Sequence, residues 1–145
     1  MVTKSQNQSD VSLPDCLRED CLSRQVLQLI ADEWTPLIIY VLEEDGTVRF
    51  GHFLKRIGGI SRKMLSQTLR ALERNGLVQR IAYPVVPPVV EYSLTPLGQT
   101  LIEPINALRV WAYGHLQEVA QAREEYDQRE HTQVQEDVAS LVQQR

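Results

Sequence analysis

The feature that most limits the folds open to this chain is a cluster of three prolines in five residues, Pro84-Val85-Val86-Pro87-Pro88, between two runs rich in β-branched and aromatic residues. Proline has no N–H to give to a sheet ladder and fixes its own φ, so the cluster does not fit a central strand and does fit a stiff, exposed hairpin tip. Leu77 to Tyr83 and Val89 to Leu94 then read as the two strands of that hairpin. Directly after the second strand, Thr95-Pro96 has the chemistry of an N-cap followed by a first helical position. It opens a long helix with Leu101, Ile105, Leu108, Ala112, Leu116 and Val119 on one stripe, and Pro104 is expected to kink or interrupt it.

Upstream, the periodicity is helical. Val26, Leu27, Ile30 and Ala31 form one apolar stripe, and Trp34, Leu37, Ile38, Val41 and Leu42 form another. The first helix should stop near Ala31, because Asp32 can cap a second helix that carries Pro36 in its first turn. Asp45-Gly46 supplies a turn, Thr47 to Phe50 alternates as a short strand, and Gly51 to Ile57 makes a compact helix burying Phe53, Leu54 and Ile57. Gly58-Gly59 ends that helix by permitting positive φ. Ser61 is an N-cap for the next, which runs to about Asn75 before Gly76 closes it. Helix, tight glycine turn, helix is the helix-turn-helix pattern. On the second of these helices Met64, Leu65, Leu69 and Leu72 take the core side, leaving Arg62, Lys63, Ser66, Gln67, Arg70 and Arg74 largely on the other.

Charge divides along the chain in the same way. The net charge of -4 hides a basic stretch from Arg49 to Arg80, where eight basic residues face the single acid Glu73, a formal +7. The remaining residues hold seven basic against eighteen acidic side chains, or -11. Positive potential confined to one stretch of an otherwise acidic chain suits an oriented contact with nucleic acid.

Other classes find little support. The 145 residues suffice for one core. No apolar run approaches the roughly 18 residues of a membrane span, and Met1 to Asp10 lacks the apolar centre of a secretory signal, so the expected location is the cytoplasm. Two cysteines, Cys16 and Cys21, do not make a disulfide framework. His52, His115 and His131 form no pair at ligand spacing, so neither a metal nor another cofactor is expected. There is no phosphate-binding glycine loop and no nucleophile elbow, and a lone His52 beside the basic helices is read as a surface or phosphate contact; the chain does not read as an enzyme. Residues 1–20 are polar and aperiodic and read as a flexible arm. Residues 121–145 form a polar tail whose helical spacing is confined to Val134, Val138, Leu141 and Val142, which leaves a marginal helix and disorder both open.

Several pieces together carry a resemblance. They are Cys21, Trp34-Thr35-Pro36-Leu37-Ile38-Ile39, Arg49-Phe50, Ile60 to Ser66, Leu69-Arg70-Ala71-Leu72-Glu73, Gly76-Leu77-Val78 and, most specific, Tyr83 through Gly98. In this order, from about Cys21 to Trp111, the chain resembles the HxlR-type family of bacterial winged helix-turn-helix regulators. One departure stands out: family members often carry Gly-Lys just before the tryptophan, where this chain has Asp32-Glu33, two acids that would repel a phosphate at that helix start.

The resemblance implies a mainly α fold with a small β-wing over residues 21–120, whose N- and C-terminal dimerisation helices are the first helix and the long helix after Thr95. It further implies a homodimer on double-stranded DNA at a palindromic operator, regulating transcription, with a small-molecule or oxidant effector as a candidate signal. The helix that starts after Ser61 would enter the major groove with Ser61, Arg62, Lys63, Ser66 and Gln67 leading, where Arg can pair with guanine and Gln with adenine. Arg70 would anchor the DNA backbone. Arg80 and the tip around Pro87 would follow the neighbouring minor groove, and Arg49, Lys55 and Arg56 would touch flanking phosphates. Trp34 and Trp111 are assigned to packing or an interface. Cys21 stands where many family members have a cysteine and is a candidate redox sensor: Arg24 and the helix start favour a reactive thiolate there, while Glu19 and Asp20 oppose it. The competing reading is a winged-helix module for protein assembly without DNA contact, in which the +7 stretch would have no obvious use.

Overall fold

The computed structural model describes residues 17–144, so Cys16 and most of the expected N-terminal arm lie outside the described residues. Two units are compact in themselves, one ending at Ile102 and one beginning at Glu103.

The first unit opens with α1 (Leu22–Ile30), of which no residue is buried. The break after it lies where the sequence places it: the Asp32 carboxylate accepts the Trp34 N–H at 2.8 Å as α2 (Trp34–Asp45) begins. Helix α2 buries Ile38, Val41 and Leu42 in the core. The strand expected from Thr47 shrinks to β1 (Val48–Arg49), because Phe50 already opens α3 (Phe50–Arg56). A turn through Gly59, at φ +82°, leads to α4 (Arg62–Arg74). Then β2 (Val78–Tyr83) and β3 (Val89–Leu94) form the hairpin, in full register from Val78 opposite Leu94 to Tyr83 opposite Val89. Strand β1 adds to the far edge of β3, with Val48 opposite Tyr92, so the antiparallel sheet runs β1-β3-β2. Helix α5 (Pro96–Gln99) follows.

These elements close around one apolar centre. Phe53, Leu65 and Leu72 are fully buried there, with Leu69, Leu77 and Val78 beside them. Phe53 meets Tyr92 edge to face at 6.0 Å between ring centroids. Trp34 packs partly buried against this core, as its assignment to packing requires.

The junction of α4, the hairpin and α5 is held by Thr95. Its side chain donates to the Gly76 carbonyl and accepts the Gly98 N–H at 3.0 Å, while its own N–H reaches the Leu77 carbonyl at 3.1 Å. Two glycines make this possible. Gly76 turns out of α4 at φ +73°, and a Cβ on Gly98 would collide with the backbone carbonyl of Leu77.

The second unit holds all but the first residue of α6 (Ile102–Gly114) and the whole of α7 (Leu116–Gln143). A single long helix from Thr95, interrupted at Pro104, is therefore corrected: the chain breaks earlier, at Thr100 and Leu101, and again at His115. The reason is steric. In a continuous helix Pro104 would meet the carbonyl of Thr100 and leave it without a donor, whereas after an upstream break Pro104 falls within the first turn of α6, where no N–H is needed. The polar tail is helical as far as Gln143. Three side-chain pairs four residues apart, Gln121 with Glu125, Tyr126 with Glu130 and Gln133 with Asp137, line α7, and the Arg129 guanidinium lies 6.0 Å from the Tyr126 ring centroid.

Candidate nucleic-acid interface

Helix α4 is positioned by its own sequence at both ends. The Ser61 hydroxyl accepts the Met64 N–H at 3.1 Å and caps the start, as its residue type dictates. At the other end the Leu77 N–H returns to the Leu72 carbonyl at 2.9 Å. Between these caps Leu65, Thr68, Leu69 and Leu72 are buried. Thr68 is accommodated because its hydroxyl donates to the Met64 carbonyl at 2.8 Å. Met64, expected on the core side, instead sits at its rim, 36% exposed. The opposite face carries Arg62, Lys63, Gln67, Arg70 and Arg74, all exposed, with Ser66 half-buried at the edge.

None of Arg62, Lys63, Arg70 or Arg74 is in an ion pair among the described residues, so their charge is available to an incoming anion. Arg56 differs. Its Nε donates to the Asp45 carboxylate at 2.8 Å, and the same oxygen meets His52 Nε2 at 2.7 Å. The hydrogen bonds from His52 and Arg56 hold the Asp45 carboxyl below the usual carboxylate range, and Asp45 in turn raises Arg56. Sequence reasoning read His52 as a surface or phosphate contact and Arg56 as a contact to flanking phosphates, and it missed this clasp between the end of α2 and α3. Separations of seven and eleven residues leave no periodic signal for it.

The remaining basic residues fall at three places. Arg49 is exposed on β1, opposite Glu91 of β3, and Lys55 is exposed on α3. Arg80 lies on β2 two residues beyond buried Val78, so its side chain leaves the same face of the sheet as Val78, the face that α4 covers. The hairpin tip from Pro84 to Pro88, with Pro87 in it, is exposed throughout, and Val86 is wholly so. Below the tip the Tyr83 hydroxyl donates to Glu91 at 3.1 Å, which raises the phenol above its ordinary range.

Cys21 occupies the N-cap position of α1 and is half-buried. Arg24, expected beside the thiol, directs its guanidinium to the Leu17 carbonyl at 3.0 Å. In the second unit Trp111 is 58% exposed and stacks on the His115 ring, with 4.7 Å between centroids. No described helix is long and apolar enough to cross a membrane, and no described cluster of His, Cys, Asp and Glu could hold a metal.

Comparison with known proteins agrees with this geometry. Residues 29–120 match the model of the HxlR-like helix-turn-helix family. The chain is 49% identical over 123 residues to the HTH-type transcriptional regulator YtfH of Escherichia coli K12, an alignment covering 81% of this chain and 97% of that protein. Among solved structures it is similar to the ytfH regulator of Salmonella typhimurium, with a TM-score of 0.68 and 46% identity over 74% of this chain and 96% of the other. It is also similar to the oxidised form of the redox regulator HypR, with a TM-score of 0.59 and 36% identity over 65% and 96% of the two chains.

Proposed function

The chain belongs to the HxlR-like helix-turn-helix family and is a DNA-binding transcriptional regulator, and from that premise we propose that it acts in the cytoplasm as a homodimer, without enzymatic activity, repressing transcription by occupying a palindromic operator. The observation that carries this reading is the division of α4: one face is locked into the core, and the other presents Gln67 and cations that have no ion-pair partner among the described residues, while the proline tip of the following hairpin is itself exposed. Ser61, Arg62, Lys63, Ser66 and Gln67 are the groups offered to base edges and nearby phosphates, because the leading turns of such a helix enter the major groove first. A winged helix that only assembled with proteins would have no use for these cations.

The homodimer is supported by apolar side chains left uncovered in the single chain. Leu22, Val26 and Leu27 on α1 are exposed, and so are Leu108, Val110, Trp111 and Tyr113 on α6. A second copy would remove this surface from water. Oxidant control is supported by the likeness to the redox regulator HypR and by the place of Cys21 at the head of α1, the helix whose apolar side chains are assigned to the interface. Oxidation of Cys21 would then alter the dimer and release DNA, and a Cys21→Ser variant would lose the response.

Selection from a pool of random duplexes at low salt tests the main reading. The retained fraction is expected to converge on a palindrome whose half-sites lie about 34 Å apart, the spacing of two recognition helices on one DNA face. A protein that stays monomeric by light scattering and retains no duplex would overturn it.

A further inference from the structure

A polar cleft of about 330 Å³ opens where α4 meets the sheet, lined by Ser66, Leu69, Arg70 and Glu73 from the helix and by Arg80 and Tyr92 from the hairpin. Resting on the reading of α4 as the DNA-contacting helix, we propose that this cleft grips a single backbone phosphodiester, with Arg70 and Arg80 as two jaws on the same phosphate.

Both sides of the cleft stand on regular secondary structure. The four helical residues fall at spacings of three, four and seven, which places them on one face of α4, and Leu69 among them is 2% exposed and makes the floor. On the sheet side Arg80 stands directly opposite Tyr92, whose ring is braced edge-on against buried Phe53. Neither guanidinium is in an ion pair among the described residues. Arginine offers several N–H donors in a planar fork, and two forks facing one cleft suit a tetrahedral anion better than any single atom of a base. The Ser66 hydroxyl adds a further donor at the helix side.

Glu73 selects the kind of anion. Two guanidiniums and one carboxylate leave the cleft with a formal charge of +1. A phosphodiester carries one negative charge and matches it, whereas a free phosphate dianion or a phosphate monoester would face Glu73 with charge in excess. The charge therefore suits a monoanionic phosphodiester of the DNA backbone better than a dianion. Because one jaw belongs to the recognition helix and the other to the wing, closing both on one phosphate fixes how far α4 advances along the groove.

The test uses the full chain and the operator recovered by selection. Each phosphate contact contributes about 0.9 to the slope of log affinity against log salt. Arg70→Gln and Arg80→Gln are each expected to lower that slope by about 0.9 per subunit, with affinity lost equally on all sequences, and the double variant should lower it no further. Arg80→Lys should restore most of the slope. Neutral methylphosphonate placed along the operator should find one position per half-site that weakens the parent protein and not the Arg80→Gln variant. In the second arm, inorganic phosphate titrated against the protein without DNA should show no difference between parent and variants by phosphorus resonance linewidth. Additive slope losses in the double variant, or unchanged slopes, would overturn the shared grip. Phosphate binding abolished by Arg80→Gln with an unchanged DNA slope would assign the cleft to a small anion instead. These failures differ from failure of the DNA-binding reading, in which the parent protein itself retains no duplex. Thermal melts confirm that the exposed substitutions leave the fold intact.

Discussion

Helices α4 and α7 are both rich in charged and polar residues, yet they are held by different physics. Of the thirteen residues of α4 four are buried, and its cap, its exit turn and its core face all agree on one position. Helix α7 has twenty-eight residues and none is buried. Its order comes from good helix formers and from side-chain pairs four residues apart, each contributing a few tenths of a kcal/mol, ~0.2 to 0.5. The comparison teaches that polarity alone does not tell a reading helix from a solvated one. What distinguishes α4 is that one of its faces is spent on the core, so the other is aimed.

The contrast is most strongly tested by truncating an apolar side chain in each helix. Leu69→Ala is expected to cost about 2 to 5 kcal/mol by denaturant unfolding and to abolish operator binding, since it opens a cavity beneath the phosphate cleft. Leu141→Ala on α7, where the side chain is 67% exposed, should move stability by less than about 0.5 kcal/mol and leave binding unchanged. Equal losses from the two would erase the distinction. The next effect comes from Gly98→Ala, which drives a Cβ into the Leu77 carbonyl and should cost about 1 to 3 kcal/mol, with the α5 and hairpin amides losing hydrogen-exchange protection before those of α7. Ser61→Ala should cost about 1 kcal/mol and weaken DNA binding on every sequence, because the cap that starts the reading helix is lost. The smallest effect belongs to Asp45→Asn, a modest lowering of Tm at neutral pH. Asp45 is held below its ordinary value by its hydrogen bonds to His52 and Arg56, so its contribution is complete above the usual carboxylate range and disappears as pH falls through the depressed value. The Tm difference between parent and variant should therefore close in acid; a difference that persisted there would show that the clasp does not act through the carboxylate charge.

Much of this organisation was legible in the residues because it is local. The caps at Ser61 and Thr95 each take an N–H three residues on, and the proline cluster between two β-branched, aromatic runs marks a hairpin tip, so caps, hairpin and helix-turn-helix could be read directly, although the reach of Thr95 back to Gly76 could not. What escaped was set mostly by groups distant in sequence, with one break displaced from the residue that causes it. The break at Thr100 depends on Pro104, yet lies four residues before it, at the carbonyl the proline would strike. The Asp45 clasp joins an acid and two bases that share no periodicity. That Arg80, which the resemblance sets with the hairpin tip, also lines a cleft with α4 follows from the pleat of the sheet and has no signal along the chain. The Tyr92 side of the cleft had no sequence signal at all, since only the β2-β3 register brings it opposite Arg80.

The split of α4 into a committed and an uncommitted face has an evolutionary corollary. Arg62, Lys63 and Gln67 bear almost no weight in the fold, and exchanges at such solvent-facing positions ordinarily shift stability by no more than about 0.5 kcal/mol. A lineage built on this frame can drift toward a new target site one substitution at a time without crossing an unfolded ancestor. The cost of retargeting lies in lost recognition, to be recovered by the promoter, and hardly at all in the integrity of the protein.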